Sequence, residues 1–468
     1  MNSISDVFSQ SPWLEDPDWE VKDRNLRRIQ ESSIRFRHLS PQFLIHLKGI
    51  NIIRGPRQVG KTSELKLLIR DALHSGCAPE SVVYFSCDNV LNRKELSEII
   101  VSLCSFWNTK KIKKGYLFLD EITSVKEWSK AVKASVDTGF LEGHSIIATG
   151  SSAFEIRRGF ERMPGRREGG YDLAFLPMDF PDFIKCRHDS QVVYPSIFDV
   201  ISSQKKFDQF QSSIIQKEKF FRSELDTFAR SGGLPFMVSL LNKHSTLDDE
   251  TSRTLASLVY SEVEKNRFSR PLAQSLLYKI NEALLSPVSL NSLASDSEIH
   301  SPTTVNKYME LLISSFIIFQ VKALDLNKKR PFPKKNFKTY FLDPAFRKIL
   351  TRTDLEIPLG PKEAETMVGV HLARMFNKDF VNQEGDLHLF YWKSKSGKEV
   401  DFVVYHDSHP VGFEVKYQNR ISGHDEMSIA QGIGKGCIIT KDSFSWGAVP
   451  RIPLWAFLLT NPKIGNDS

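Results

Sequence analysis

Gly55-Pro56-Arg57-Gln58-Val59-Gly60-Lys61-Thr62 is a glycine-bounded loop with the spacing G-x-x-x-x-G-K-T. The spacing has a physical reading. Glycines at both ends let the backbone curl so that successive N–H groups point at phosphate oxygens, Lys61 adds a point charge for the β/γ-phosphates, and the Thr62 hydroxyl is a Mg²⁺ ligand. The flanks agree. Gly49-Ile50-Asn51-Ile52-Ile53 is an apolar run that reads as a buried strand, and Leu65-Lys66-Leu67-Leu68-Ile69-Arg70 reads as helix. A helix N-terminus behind the loop adds partial positive charge toward the phosphates.

Gly115-Tyr116-Leu117-Phe118-Leu119-Asp120-Glu121 supplies the second half of the motif. It reads as a buried parallel strand with carboxylates at its C-terminal end, the edge where open α/β sheets bind ligands. Asp120 is placed to hold Mg²⁺ and Glu121 to polarise an attacking water. The competing reading of the acid pair is a helix cap before Ile122. A third apolar strand, Ser145-Ile146-Ile147-Ala148-Thr149, runs into Gly150-Ser151-Ser152. In a parallel sheet its end falls beside Asp120, which makes Thr149, Ser151 and Ser152 candidates for the γ-phosphate or the water. A helix cap at Ser151 or Ser152 is the compatible alternative.

Composition narrows the class. The chain has 468 residues, 41% hydrophobic and 25% charged, with net charge +7. That is ordinary for a globular protein of several domains and mildly basic, compatible with nucleic acid. No stretch approaches the roughly 18 apolar residues that span a bilayer. The start, Met1-Asn2-Ser3-Ile4-Ser5-Asp6, lacks the basic-then-apolar pattern of a secretory signal. Five scattered cysteines without a C-x-x-C pair argue against a disulfide framework or zinc site. Together these readings predict a cytoplasmic protein with no membrane partner.

The rest of the chain divides by pattern into an N-terminal arm (1–35), a P-loop domain (36–190), a helical region (191–270), a helical module ending in a hairpin (271–350) and a last α/β domain (351–468). Ser289 and Ser301-Pro302 open two short helices, and Ile317-Ile318-Phe319-Gln320-Val321 follows as strand. This order suggests a winged helix-turn-helix whose wing falls in Lys328-Lys329-Arg330-Pro331-Phe332-Pro333-Lys334-Lys335. With Lys338, the run suits phosphate contacts, DNA before RNA; a solvated hairpin tip is the bland reading. In the last domain Glu365 lies on an amphipathic helix, Asp401 on the strand Glu399–Val404, and Glu414-Val415-Lys416 on the next. Strand alternation puts Glu414 and Lys416 on one face. Two acids and a lysine at a sheet suit a metal-dependent phosphodiesterase, and equally an exposed cross-strand pair.

Taken in order, these blocks resemble the bacterial and archaeal AAA+-type ATPases of uncharacterised role. Further blocks carrying the resemblance are Trp128, Pro164-Gly165-Arg166 before Leu176-Pro177, Gly232-Gly233-Leu234-Pro235 and Tyr340-Phe341-Leu342-Asp343. The resemblance implies an α/β fold: a parallel-sheet P-loop NTPase core with an extra strand between the nucleotide motifs, a helical and winged-helix middle region, and a small restriction-endonuclease-like C-terminal domain. It implies ATP with Mg²⁺, and Glu365, Asp401, Glu414 and Lys416 as the nuclease-type metal site. Arg166 is the candidate arginine finger of a homo-oligomer, against a structural pairing with Glu161 or Glu168. The function implied is ATP hydrolysis coupled to a nucleic-acid-facing C-terminal half. The alternatives are a nucleotide-gated switch that docks a partner protein and an ATP-controlled nuclease.

Overall fold

A computed structural model describes the chain except residues 1–3, 44–46, 140, 151–155, 157–158, 160–168, 189–193, 245–248, 333–334, 353–356, 377–388, 419–422 and 461–468. It divides into two compact units, Met1–Leu176 and Pro177–Ser468. Among the described residues no helix is long and apolar enough to cross a membrane, and all five cysteines are free.

The first unit is built on five strands: β1 (Gly49–Arg54), β2 (Val82–Ser86), β3 (Tyr116–Asp120), β4 (Ser145–Thr149) and β5 (Asp172–Ala174). They pair in the order β2-β3-β4-β1-β5, every pair parallel. The continuous apolar runs of β1, β3 and β4 are explained by this topology, since each is buried throughout. β4 stands between β1 and β3, so the strand carrying Thr149 separates the two nucleotide motifs. Arg54, almost fully buried at the end of β1, forms a two-pronged ion pair with Asp172 of β5 at 2.7 and 2.8 Å. It anchors the strand that feeds the loop. On the opposite edge the N-terminal arm lies on β2: Trp13 donates through Nε1 to the Val82 carbonyl at 2.9 Å, and Gln10 accepts from the Ser86 N–H at 2.8 Å. The arm thereby occupies polar groups that an open edge strand would expose.

The second unit is helical to about residue 314 and then turns into one large sheet. Helices Leu290–Asp296 and Pro302–Ser314 are capped by Ser289 and Ser301, whose hydroxyls accept from the Ser292 and Thr304 N–H groups. β6 (Ile318–Asp325), β7 (Arg330–Pro331) and β8 (Phe337–Phe341) follow, β7 and β8 both antiparallel to β6. Beyond the helix Pro361–Phe376 come β9 (Leu389–Lys393), β10 (Glu399–His406), β11 (His409–Lys416), β12 (Gly436–Thr440) and β13 (Arg451–Pro453). The order is β13-β12-β11-β10-β9-β6-β7, with β8 also on β6. β6 pairs parallel with β9, Lys322 opposite Phe390. The hairpin of the helical module and the last domain therefore share one sheet.

Candidate nucleotide site and acid cluster

The loop between β1 and the helix Lys61–His74 has the curl its glycines predict. Gly60 has φ 102°, and a Cβ on Gly55 would stand 2.3 Å from the Phe175 carbonyl oxygen, so only glycine fits there. Lys61, mostly buried, donates from Nζ to the carbonyls of Gly55 (2.9 Å) and Pro56 (3.0 Å), which holds its charge inside the loop. Val59 is tied through its carbonyl to His38 Nε2 at 2.8 Å, and the His38 ring stacks on Phe175. Arg57 and Gln58 complete the curl, Gln58 with φ 63°.

Asp120 ends β3 against three hydroxyls. Thr62 Oγ1 lies 3.3 Å from Oδ1, Thr149 donates to the same oxygen, and Tyr84 donates to Oδ2 at 3.0 Å. The ammonium of Lys66 sits 3.4 Å above the Tyr84 ring, and burial lowers its pKa. An oxygen-only set of hydroxyls and a carboxylate at the mouth of a phosphate loop fits Mg²⁺. Glu121 follows in a left-handed conformation, φ 55°, half-buried, its N–H 3.4 Å from Thr149 Oγ1. Its side chain makes no cap hydrogen bond to the short helix Ile122–Ser124, which leaves the capping reading without support. Ser151 and Arg166 lie outside the described residues.

The second unit brings Glu365, Asp401, Glu414 and Lys416 together, but around a residue that sequence reasoning placed elsewhere. Lys338 of β8 is buried, 1% exposed, and its Nζ lies 2.9 Å from Asp401 Oδ1, 2.9 Å from Glu399 Oε1 and 3.3 Å from Glu365 Oε1. Tyr340, two residues along β8, donates to the same Glu365 oxygen at 2.6 Å. Asp401 Oδ2 accepts from the Val415 N–H at 2.9 Å, and the Asp401 N–H donates to Glu414 Oε2 at 3.2 Å. Lys416 Nζ lies 2.8 Å from Glu414 Oε1. Burial, and then the Asp401 charge, push the Glu365 carboxyl up to about 7 and the Glu414 carboxyl up to about 8. Burial opposes the Lys338 charge, but Asp401, Glu365 and Glu399 outweigh it and hold the ammonium above its usual pKa.

Two expectations change. Lys338 is not a phosphate contact, because it faces the interior of the second unit. Among the described residues no group of three His, Cys, Asp or Glu is arranged to hold a metal, and Glu365 and Asp401 meet the Lys338 ammonium instead. The cation among the acids is an ammonium, and Lys416 is paired with Glu414. Nor is the Glu414–Lys416 pair an exposed one, since Glu414 is buried. Tyr84, Lys338 and Tyr340 were not legible as site residues. The one available signal was Lys338 and Tyr340 at i, i+2 on one strand, which puts both on one face.

Residues 47–184 match the family model described as AAA domain. Residues 222–356 and 362–443 match two domains of unknown function, DUF8612 and DUF4143. An uncharacterized protein of Methanocaldococcus jannaschii is 24% identical over 368 residues, 76% of this chain and 72% of the relative. Another, from Haemophilus influenzae, is 24% identical over 330 residues, 66% of this chain and 71% of the relative. Among solved structures, the Walker-type ATPase of Pyrococcus abyssi is similar with TM-score 0.37 and 14% identity, over 74% of this chain and 96% of that one. The ORC1 protein of Aeropyrum pernix in complex with DNA has TM-score 0.26 and 14% identity, over 73% and 96%. The AAA-domain match falls on the residues that carry the parallel five-stranded sheet and the phosphate loop, and so describes the first unit as an AAA-type P-loop domain.

Proposed function

We propose that this protein binds ATP with Mg²⁺, hydrolyses it, and uses its C-terminal half to contact nucleic-acid phosphates. The observation that carries the first part is the Asp120 carboxylate beside the Thr62 hydroxyl at the mouth of the loop, with Glu121 next in the chain. Loop N–H groups, the helix N-terminus and Lys61 bind the phosphates. Thr62 and Asp120 hold Mg²⁺, which neutralises charge on the β- and γ-phosphates when bound. Tyr84 and Thr149 fix the Asp120 carboxylate in place, and Glu121 polarises the attacking water. Ser151 and Arg166 keep the roles read from sequence, γ-phosphate contact and arginine finger.

Support for the second part comes from topology. β6 and β9 run parallel, so their C-terminal ends emerge at the same edge. The turn after β6 carries exposed Lys328, Lys329 and Arg330, and the turn after β9 carries exposed Lys393 and Lys395. Lys335, in the connection from β7 to β8, donates to the Lys393 carbonyl at 3.1 Å. Following the helices Leu290–Asp296 and Pro302–Ser314, the β6–β7 hairpin takes the place of a wing. ATP turnover measured with and without DNA and RNA tests both parts. Turnover that Glu121→Gln abolishes, and that nucleic acid changes, is the expected result. Turnover equal in wild type and Glu121→Gln refutes the hydrolytic assignment. Nucleotide binding without turnover favours the protein-docking switch.

A further inference from the structure

We propose that the acid cluster of the second unit carries its own cation: the Lys338 ammonium takes the position that a divalent metal takes among such carboxylates, so this domain does not run metal-dependent phosphodiester cleavage. Three observations converge. The ammonium reaches carboxylate oxygens on two elements, Glu365 on the helix Pro361–Phe376 and Glu399 and Asp401 on β10, all within 3.3 Å. Five of the six carboxylate oxygens of Glu365, Asp401 and Glu414 already accept hydrogen bonds or ion pairs, from Lys338, Tyr340, the Val415 N–H, Lys416 and the Asp401 N–H. A divalent cation with an oxygen shell of six or more ligands would have to strip those donors away. Lys338 itself is not a swinging arm. Its backbone pairs opposite Val321 within the β6–β8 ladder, and its side chain is 1% exposed. Moving it aside would leave an ammonium buried without partners, which is costly.

The reading needs nothing from the ATP site and is tested apart from it. Mn²⁺ is titrated into the nucleotide-free full-length protein, with free Mn²⁺ followed by electron paramagnetic resonance. Wild type and Asp401→Asn are expected to bind Mn²⁺ identically. Lys338→Met is expected to gain about one equivalent, the carboxylates now lacking their resident cation. Adding Asp401→Asn to Lys338→Met is expected to remove the gain. Mn²⁺ binding in wild type that Asp401→Asn abolishes overturns the proposal, as does a folded Lys338→Met protein that gains none. Should Lys338→Met fail to fold, the wild-type and Asp401→Asn comparison decides alone. A parallel incubation with plasmid and oligonucleotide substrates in Mn²⁺ is expected to show no cleavage that depends on Asp401.

Discussion

Asp120 and Asp401 are both buried aspartates on central strands, one in each unit, and their neighbours make them different chemical objects. Asp120 faces the hydroxyls of Thr62, Thr149 and Tyr84, neutral groups that orient a carboxylate without cancelling its charge. Asp401 faces Lys338 in a cluster with three further carboxylates, Glu365, Glu399 and Glu414, the last of them paired to Lys416. A carboxylate oriented by hydroxyls remains available to a cation. A charge already paired in a dry interior is committed to the fold. In sequence the two look alike, an apolar strand carrying acids. What separates them is the set of groups that the fold brings to each carboxylate from segments distant in sequence.

The largest effects should test the first half of that contrast. Lys61→Ala is expected to weaken ATP binding about 100-fold or more, and Glu121→Gln to keep binding while lowering turnover by about 10²–10⁴. Calorimetric titration and a phosphate-release assay read the two separately. A Glu121→Gln protein with normal turnover would remove the distinction between an available and a committed acid site.

Next comes the committed side. Lys338→Met at pH 8 is expected to destabilise the second unit by about 3–5 kcal/mol, because buried carboxylates lose their partner. Denaturant unfolding checks this, and ATP binding by the first unit should be unchanged. An equally stable Lys338→Met protein would mean that the cluster is not held by its charge pairing. Smaller again is the effect of the basic edge. Lys328→Glu, Lys329→Glu and Lys395→Glu together should lower affinity for DNA of any sequence and flatten its salt dependence, as fluorescence anisotropy would show. Absence of binding by wild type at low salt would instead assign that edge to a protein partner.

The smallest expected effect is in pH. Glu365 and Glu414 have folded-state values raised to about 7 and about 8, above the ordinary 4.5. The folded protein therefore holds more protons than the unfolded chain across that interval, and stability falls as pH rises from about 4.5 to about 8. Lys338 does not blur the trend, since its value is raised and its contribution is complete below its ordinary value of 10.5. Glu414→Gln should flatten the profile measured by thermal unfolding. A profile that rises between pH 5 and 8 and is insensitive to Glu414→Gln would show that this cluster is solvated rather than buried.

The nucleotide site was legible because its chemistry is local. Eight consecutive residues make the loop, and Asp120 closes a strand whose apolar run announces burial. Thr149 followed from strand adjacency alone. Tyr84 did not, because its contact depends on the β2–β3 register, in which Ser86 rather than Tyr84 stands opposite Asp120. Lys338 was misread for a compositional reason: it closes a run of surface lysines, and only its pairing opposite Val321 turns it inward. A second misleading signal lies in β10. Strict alternation puts Val400 and Val403 on opposite faces, yet both belong to one apolar cluster, because the register shifts between them. That irregularity brackets Asp401. The Gly232-Gly233 and Asp343 blocks were legible as motifs but not as partners. Asp343 Oδ2 accepts from the Gly233 N–H at 2.8 Å and Oδ1 from the Ala345 N–H at 2.8 Å. Gly232 has φ 63°, and a Cβ there would collide with the Asp343 carboxylate. Those blocks serve the architecture of the second unit.

The parallel pairing of β6 with β9 has a consequence for how such proteins can be taken apart or recombined. A stop codon near residue 350 would produce a chain that ends after the hairpin, with one flank of β6 open to solvent and the Lys338 ammonium stripped of Glu365, Glu399 and Asp401. An unpaired apolar strand edge beside an uncompensated buried charge is a recipe for inclusion bodies. The helical module and the terminal domain are thus a single unit of inheritance. A shuffling event that swaps one without the other should be selected against, however cleanly the two appear to separate by sequence.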